Sequence, residues 1–295
     1  MVRQELSVGG TAMVSGLVQD LITYLTNPVP RHLRKMDYPR ELRNLESRRK
    51  RCKAAWQSHL ANTQSLILKA ADNCPGSEKA LIIGSGPLFD IPIAELSGQF
   101  QEVVLVDILH PWKSRYYTKC LPNVRLEQLD VTGVVENVFA LPRSRQSLEM
   151  LSCKPGYFLH EGFDMIISAN VLSQLPVIPN TYASNQIKGL KLEQMRIFSQ
   201  RMVINHLDWL ASFRGKVCLI ADVERLKCDG PKIISREDSL WGVHLPHGGR
   251  EWFWDLAPRP EIDIHFDIRH QVVGYPEFPK NIWLDRKIAT AKRTQ

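Results

Sequence analysis

A glycine turn that follows a short apolar run constrains this chain most. Residues Ala80–Ile83 are all apolar and lead directly into Gly84-Ser-Gly86, and a second apolar run, Glu102–Asp107, ends on a carboxylate 23 positions after Gly84 (84 to 107). Continuous apolar runs of this length are typical of strands buried in a parallel sheet. Glycine lets the backbone approach a ligand closely, and an acid at the end of the next strand can bind ribose hydroxyls. The sequence therefore predicts a nucleotide-type pocket on an α/β fold.

Further strands alternate with helical patterns along the chain. Five strands are predicted for the parallel part of the sheet, at Lys79–Ile83, Glu102–Asp107, Val124–Asp130, Phe163–Ser168 and Lys216–Asp222. Late in the chain, Glu261–Arg269 alternates polar and apolar residues and predicts a half-exposed antiparallel strand. The fold expected is a Rossmann-like three-layer α/β sandwich, with a mostly parallel seven-stranded sheet, an antiparallel C-terminal strand and an N-terminal helical segment.

The first 76 residues predict helices and no strand. A long helix is expected over Glu41–Asp72, because residues recur at helical spacing in the set Leu45, Cys52, Trp56, Leu60, Thr63 and Ile67. Asn73-Cys-Pro-Gly76 is a turn that closes this segment. We therefore expect a helical cap or lid at 1–76 and a Rossmann-like domain at 77–295. Another long helix is predicted from near Gln186 to Phe213.

The positive charge of the chain is concentrated in one segment. The net charge is +7, and Arg31–Lys53 holds ten Lys or Arg residues against three acids, a difference of +7. Such a segment is either a solvated helix face or a surface that binds nucleic-acid phosphates. Only Tyr38 and Trp56 lie near it, so the aromatic platform of a single-strand binder is missing.

The positions of the cysteines and histidines and the hydropathy of the sequence indicate which cellular location, metal and membrane partners to expect. The six cysteines form no Cys-x-x-Cys pair, so neither a disulfide framework nor a zinc cluster is expected, and a reducing cytoplasm is the predicted location. His244 and His247 lack a nearby acid and make a poor metal site, so no metal is predicted. No apolar run reaches the roughly 18 residues of a membrane span, and no membrane partner is predicted.

Four places form a common pattern at the predicted strand ends: Gly84-Ser-Gly86, Asp107, Leu129-Asp130-Val131, and the run Phe163-Asp-Met-Ile-Ile-Ser-Ala-Asn-Val-Leu-Ser-Gln-Leu-Pro176. In this pattern, residues 81–175 resemble the cofactor half of the class I S-adenosylmethionine-dependent methyltransferases. The resemblance implies that the domain expected at 77–295 is a Rossmann-like methyltransferase domain. The resemblance implies S-adenosyl-L-methionine as cofactor and a set of binding residues at the strand ends: Gly84, Ser85, Gly86, Asp90, Asp107, Ile108, Asp130, Val131, Ser168, Ala169 and Asn170.

For three parts of that set, the resemblance implies which part of the cofactor they contact. The resemblance places the glycine loop under the methionine part, Asp107 at both ribose hydroxyls and Asp130 at the adenine amino group. Carboxylates suit hydroxyls and an exocyclic amine because they are pure acceptors. Asp107 and Asp130 end successive strands and so share the carboxyl edge of the sheet, although an acid there can also be a simple strand-end cap.

The glycine loop departs from the family pattern at three positions. Ile82 stands where an acid is common, and Pro87 and Leu88 stand where the loop usually reaches its third glycine. Asp90 lies four residues after Gly86, and we expect it to contact the cofactor's amino group instead. These departures leave open a methyltransferase-like protein without activity.

Methyl transfer from a sulfonium is an in-line displacement in which orientation supplies most of the acceleration. The catalytic residues therefore stay unassigned, with Asn170 and Gln174 as candidates that position the substrate. The leading hypothesis is methyl transfer to a small-molecule or peptide acceptor, and the enzyme alternative is an RNA methyltransferase that uses Arg31–Lys53. An NAD-binding oxidoreductase and a non-catalytic interaction protein are alternatives of other classes. The acid at Asp130 and the loop Asn170–Pro176 count against NAD, which needs neither.

Overall fold

The computed structural model describes residues 29–143, 146–153 and 155–293. Its helices are α1 (Arg31–Lys35), α2 (Tyr38–Arg51), α3 (Lys53–Asp72), α4 (Ile93–Gln99), α5 (Trp112–Thr118), α6 (Val135–Ala140), α7 (Val177–Gln186), α8 (Leu192–Ser212) and α9 (Lys280–Arg293). Its strands are β1 (Lys79–Ile83), β2 (Glu102–Asp107), β3 (Val124–Gln128), β4 (Met165–Ala169), β5 (Lys216–Asp229), β6 (Lys232–Asp238), β7 (Arg250–Ala257) and β8 (Asp267–Tyr275).

The strands form one mixed sheet in the order β3-β2-β1-β4-β5-β8-β7, with β6 paired to β5. The pairs among β3, β2, β1, β4 and β5 are parallel, and β8 runs antiparallel to both β5 and β7. Helices pack on both faces. The order changes direction at β1 and β4, which is where an open α/β sheet binds its ligand. The predicted Rossmann-like three-layer architecture is confirmed.

The predicted strand number is wrong, because the sheet has eight strands rather than seven. Strand β5 continues past Asp222 to Asp229 and folds back as the hairpin strand β6. Asp229 pairs with Lys232 across a two-residue connection in which Gly230 has a φ of 56°. Glycine at the first position of a two-residue connection is a known hairpin signal.

The alternation over Glu261–Arg269 predicts the last strand too early. Strand β8 begins only at Asp267, and residues 258–266 form a loop. Polar contacts hold that loop out of the sheet: Arg51 donates two hydrogen bonds to Glu261, at 2.6 and 2.8 Å, and Asp263 accepts one from the backbone N–H of His265. The alternation therefore reflects turn and ion-pair positions rather than a pleated surface.

Both long helices of the prediction are interrupted. The segment Glu41–Asp72 contains a break at Cys52, where φ is −97° and ψ is 25°, and the N-terminal part starts at Tyr38. The second prediction joins the end of α7 to α8 across Gly189, whose φ is 76°. The predicted inner face is nonetheless correct for α3, where Trp56, Leu60, Thr63 and Ile67 are buried.

Two apolar clusters lie on opposite faces of the sheet. Residues alternate between them along β1, with Leu81 and Ile83 on the face covered by α6 and α8, and Ala80 and Ile82 on the face covered by α3 and α4. Helix α3 is thus part of the sheet's own helical layer. The division at residue 76 stays a prediction, and residues 1–28 of the expected lid lie outside the described residues.

Helices α1 and α2, residues 31–51, form a strap along the carboxyl edge of the sheet. At one end Leu33 is buried in the core and the ring of His32 lies 6.3 Å from that of Phe139 on α6. At the other end Arg51 binds Glu261, in the loop after β7. The strap therefore spans the sheet from α6 to β7. In the described part of the chain, no helix is both long enough and apolar enough to span a bilayer.

Candidate functional site

The glycine turn closes directly onto the second strand. The backbone N–H of Gly84 donates to the carbonyl of Val106 at 2.9 Å, and that of Gly86 donates to Oδ2 of Asp107 at 2.8 Å. Gly84 has a φ of 78°, and a Cβ there would lie 2.7 Å from Cβ of Val171, which is too close. The turn therefore requires glycine at position 84 and holds the Asp107 carboxylate against the loop.

Leu88, which stands where a third glycine was expected, has a left-handed backbone conformation. Its φ is 61°, a left-handed conformation that branched or bulky residues rarely adopt. The backbone N–H of Leu88 donates to the carbonyl of Ser85 at 3.0 Å, and Ser114 on α5 donates to the carbonyl of Gly86 at 3.0 Å. Strain of this kind is roughly 1–3 kcal/mol and concentrates at functional sites. Leu88 thus adopts a backbone conformation that glycine reaches without strain.

Asp107 ends β2 beside this loop and is partly buried. Its Oδ1 accepts from the backbone N–H of Leu109 at 3.2 Å, and its Oδ2 accepts from Gly86. Burial raises the pKa of Asp107, while nearby His110 and the backbone donors oppose the rise. A carboxylate has about four acceptor sites, so Asp107 keeps capacity for a ligand hydroxyl.

Asp130, two residues after β3, is engaged differently. Its Oδ1 accepts from the backbone N–H of Thr132 at 2.9 Å and from its hydroxyl at 2.5 Å, and its Oδ2 accepts from the backbone N–H groups of Val134 and Val135, both at 2.9 Å. These four bonds close the turn and cap the start of α6. The geometry matches the strand-end cap weighed for this acid, and a contact of Asp130 with adenine stays a prediction.

Asp90 and Asn170 meet at the other side of the loop. Asn170 Nδ2 donates to Asp90 Oδ2 at 2.6 Å, and the backbone N–H of Asn170 donates to the carbonyl of Ile220 on β5 at 2.9 Å. Asn170 has left the strand, with a φ of 53°, and its Oδ1 is buried without a hydrogen-bond partner. Burial raises the pKa of Asp90, and the bond from Asn170 opposes the rise. An unfilled acceptor beside a carboxylate suits a ligand that donates.

The remaining predicted residues lie around this centre. Ser168 is fully buried and its Oγ lies 3.0 Å from Nε2 of His206, while Ala169 packs in the core on the α3 side. Gln174 is exposed and donates to Ser173. The others, Ser85, Ile108 and Val131, are buried or partly buried at the strand ends. The structure thus joins Gly86 to Asp107 and Asp90 to Asn170, and places the side chains of Ser168 and Gln174 away from them.

Two residues at the site were missed from the sequence. Tyr38, the first residue of α2, is partly buried, and its pKa is raised well above 10.0 by burial and by the charges of Asp130 and Asp107. His59 on α3 is buried, with Nε2 3.4 Å from Nδ2 of Asn170. Both lie on helices, and helical spacing gives no signal that separates a site residue from a core residue.

The electrostatic character of the pocket is acidic. Asp107 is one of the groups that raise the pKa of Asp90. Across the described ranges, no three His, Cys, Asp or Glu side chains gather as metal ligands do. The two carboxylates beside the loop suit a ligand that donates hydrogen bonds or carries positive charge.

No protein-family model and no curated protein matches the chain. Among solved structures, it is similar to the N-methyltransferase NodS of Bradyrhizobium japonicum WM9 in complex with S-adenosyl-L-homocysteine, with 12% identity, a TM-score of 0.33, and coverage of 75% of this chain and 87% of that one. It is also similar to the 1,6-didemethyltoxoflavin-N1-methyltransferase of Burkholderia thailandensis, with 14% identity, a TM-score of 0.30, and coverage of 77% and 86%. The YcgJ protein of Bacillus subtilis gives 15% identity, a TM-score of 0.31, and coverage of 55% and 51%, about half of each chain.

Proposed function

We propose that this chain binds S-adenosyl-L-methionine and transfers its methyl group to a small-molecule or peptide acceptor. One observation carries the proposal: two carboxylates flank the glycine loop, with Asp107 Oδ2 accepting from the backbone N–H of Gly86 at 2.8 Å and Asp90 Oδ2 accepting from Asn170 Nδ2 at 2.6 Å. The cofactor has a sulfonium, an ammonium group and a ribose diol. Such a ligand supplies both the positive charge and the hydroxyl donors that these carboxylates lack.

The residues present fit this cofactor. Asp107 has acceptor capacity left for the ribose hydroxyls, and Gly86 leaves room beside it, since a Cβ there would already lie 3.6 Å from Asp107 Oδ2. The unpartnered Oδ1 of Asn170, next to Asp90, suits the ammonium group. The resemblance of residues 81–175 to class I methyltransferases supports the same assignment.

When bound, the cofactor supplies an activated methyl group, and the chain's own task is to orient and enclose it. Asp107 and the glycine loop hold the nucleoside side, and Asp90 with Asn170 holds the amino-acid side. Tyr38 and the strap lie over the strand ends and limit the access of water. We keep Gln174, which is exposed beside Asn170 in the loop after β4, as a candidate that positions the acceptor.

The acidic pocket also separates this proposal from the NAD alternative. A dinucleotide brings two phosphate charges to the glycine loop, where donors or cations normally meet them. Here two carboxylates, Asp107 and Asp90, lie beside the glycine loop, and a carboxylate repels phosphate. Binding of NAD is therefore expected to be much weaker than binding of a sulfonium ligand.

An RNA acceptor is the second candidate, because much of the strap's charge faces solvent. Arg31, Lys35 and Lys50 are exposed along the carboxyl edge, although Arg48 and Arg51 bind Glu261. Phosphate binding by such residues falls steeply with salt. Filter binding of a short single-stranded RNA at about 50 and 200 mM salt tests the RNA hypothesis. No binding at the lower salt would exclude RNA as the acceptor.

Calorimetry tests the cofactor. Wild type is titrated with S-adenosyl-L-methionine, S-adenosyl-L-homocysteine and NAD, beside the variants Asp107→Asn and Asp164→Asn. Asp164 is the matched control, because it accepts two backbone N–H groups at the opposite, amino edge of the sheet. Loss of charge-assisted hydrogen bonds should weaken binding of both sulfur compounds about 10- to 100-fold in Asp107→Asn. Asp164→Asn should leave it unchanged.

The proposal fails if wild type binds neither sulfur compound or binds NAD more tightly. A protein that binds the cofactor and transfers no methyl group to any acceptor would be the non-catalytic member of the same fold. Methyl transfer is followed with radiolabelled cofactor and a panel of small amines, phenols and peptides.

A further inference from the structure

Helix α5 buries its small polar residues and exposes its aromatic ones. Ser114 and Thr118, one turn apart, are 3% and 4% exposed, and Ser114 donates to the carbonyl of Gly86 at 3.0 Å. Because this face of the helix packs on the glycine loop, the aromatic residues lie on the other face. The exposed fractions are 39% for Trp112, 69% for Tyr116 and 48% for Tyr117. Large apolar groups that are exposed together on one short helix are typical of an interaction site.

The same stretch of chain is basic. Residues 108–124 contain three Lys or Arg residues and no Asp or Glu. Of these cations, Lys113 and Lys119 are exposed and Arg115 is partly exposed. The ammonium group of Lys113 lies 5.8 Å from the centre of the Trp112 ring, so positive charge adjoins aromatic surface. Residues 112–119 are called the α5 surface below.

A groove of about 410 Å³ lies beside the α5 surface. Pro87 and Leu88 of the glycine loop line it together with Lys113 and Tyr117. Small-molecule pockets have volumes of about 300–1,000 Å³, so the groove is large enough for one planar ring. A nucleobase suits this lining, because the ring can stack on Tyr117 and its phosphate can bind Lys113. Glu95 also lines the groove and can accept from the amino group of a base.

The groove adjoins the basic strap. Phe89 follows Leu88 in the loop, and the guanidinium carbon of Arg49 on α2 lies 5.9 Å from the centre of the Phe89 ring. Gln64 on α3 lines the groove and donates to the carbonyl of Phe89 at 3.2 Å. The aromatic platform that the strap lacks is thus provided by α5, on the other side of the same loop.

Cations on the hairpin side of the sheet are neutralised by acids. Arg225 binds Glu237 at 3.1 Å, and Arg269 binds Asp255 at 2.6 Å, although Arg269 also lies 5.6 Å from the centre of the exposed Phe253 ring. Among the described residues, none of the three α5 cations forms an ion pair. Their charge is therefore available to an anionic ligand.

Both membranes and single-stranded nucleic acids attract aromatic residues and cations. A helix that lies in a lipid interface buries a broad apolar face, whereas α5 has no aliphatic side chain. Nucleic acid needs only rings that stack on bases and cations that bind phosphate. The composition of α5 therefore favours nucleic acid.

We propose that the α5 surface and the adjoining groove bind single-stranded nucleic acid, with bases stacked on the three aromatic rings and phosphates bound by the three cations. The inference does not rest on the proposed function, because no residue assigned to the cofactor enters it. It also differs from binding by the strap alone, which supplies charge without stacking.

Fluorescence anisotropy with a labelled oligouridylate of about 12 nucleotides tests the stacking. At about 50 mM salt, Tyr116→Ala should weaken binding about tenfold, whereas Tyr116→Phe keeps the ring and should stay within about twofold of wild type. Phe253→Ala is the matched control, because Phe253 is 50% exposed and also lies beside an arginine. This control should bind like wild type. The affinity of Tyr116→Ala for S-adenosyl-L-homocysteine should be unchanged.

Salt dependence tests the charges. Each phosphate contact on a single strand contributes about 0.7 to the slope of log K against log salt, so the double variant Lys113→Gln, Lys119→Gln should lower that slope by about 1.4. The double variant Arg225→Gln, Arg236→Gln removes two cations that are already paired with Glu237 and Glu224. It should leave the slope unchanged.

Four results would overturn the inference. Wild type could fail to bind oligouridylate at low salt, or bind duplex RNA of the same length equally well, since paired bases cannot stack on a protein ring. Tyr116→Ala could bind like wild type while a triple variant of the strap, Arg31→Gln, Lys35→Gln and Lys50→Gln, does not bind, which would assign RNA to the strap alone. Sedimentation with phosphatidylserine vesicles could show binding that Tyr116→Ala removes, without RNA binding, which would assign the surface to lipid. Failure to bind S-adenosyl-L-homocysteine would overturn only the proposed function.

Discussion

Two buried histidines flank the end of β4 on opposite faces of the sheet. His206 on α8 lies 3.0 Å from the hydroxyl of Ser168, and His59 on α3 lies 3.4 Å from the amide of Asn170. Burial lowers the pKa of both to about 3, and both are about 1% exposed. Neither pKa nor burial therefore distinguishes them.

Their partners differ, and the difference is informative. Ser168 is a fully buried residue inside the strand, so its bond with His206 is closed off from any ligand. Asn170 has left the strand in a left-handed conformation, contacts Asp90, and keeps a buried oxygen unpaired. A lowered histidine pKa by itself indicates only burial away from water. An unpaired polar atom on the residue that contacts the histidine indicates a ligand site.

The largest expected effect separates the two partners directly. Asn170→Gly keeps the left-handed backbone and removes the amide, so the affinity for S-adenosyl-L-homocysteine should fall about 10- to 100-fold. Ser168→Ala should change that affinity less than twofold while it lowers the free energy of unfolding by about 1–2 kcal/mol. Calorimetry and urea unfolding measure the two quantities. A Ser168→Ala protein that binds as weakly as Asn170→Gly would abolish the distinction.

The next effect tests what the two histidines share. Each has a folded pKa near 3 and an ordinary value of 6.5, so the unfolded chain binds more protons between these pH values. Stability from each histidine is therefore complete above pH 6.5 and decreases as the pH falls toward 3, by about 1.4 kcal/mol per pH unit. Between pH 4 and 6, the slope of the unfolding free energy against pH measures how many more protons the unfolded chain binds than the folded one. His206→Phe and His59→Phe should each reduce that number by about one. An unchanged slope in either variant would show that its histidine is already charged when folded.

A smaller effect extends the comparison to the two strand-end acids. Asp130 uses its carboxylate on four donors at the start of α6, so Asp130→Ala should lower the free energy of unfolding by about 1 kcal/mol. Asp107→Ala should mainly lower ligand affinity, because the two bonds that it loses in the fold, from the backbone N–H groups of Gly86 and Leu109, are limited to loops. Thermal unfolding with and without S-adenosyl-L-homocysteine separates the two. The opposite pattern would exchange the roles assigned to these acids.

The smallest effect concerns Gln174, which is exposed and whose side chain donates to the hydroxyl of its neighbour Ser173. Gln174→Ala should change stability by less than about 0.5 kcal/mol and leave cofactor affinity unchanged. If it positions the acceptor, only turnover of an identified acceptor responds. A loss of cofactor affinity would place Gln174 in the cofactor site and contradict its position on the surface.

The parts of the molecule that could be predicted are those that local sequence controls. The observed bounds of β1 and β2 coincide with the predicted ones, because buried parallel strands are continuous apolar runs. Asp107 could be predicted as a site residue because it ends such an apolar run. Asp130 also lies at a strand end, but its engagement with the α6 turn depends on how that turn closes and has no signature in the spacing.

The parts that could not be predicted depend on contacts between distant segments. His59 meets Asn170 across 111 positions, and Arg51 meets Glu261 across 210. The second contact explains the misplaced C-terminal strand, since an alternating pattern cannot show that one of its acids is bound elsewhere. The left-handed backbone at Leu88 is likewise imposed by the loop around it rather than chosen by the residue.

The two ends of the strap are attached differently, and this difference affects how long a ligand stays bound. Its α1 end is embedded in the core through Leu33 and Met36, whereas its α2 end is attached by Arg51, whose side chain is 58% exposed, to Glu261. The second attachment is electrostatic and near water, so dissolved salt weakens it and leaves the first intact. A ligand beneath the strap should therefore have a residence time that shortens as ionic strength rises, with the α2 end opening first.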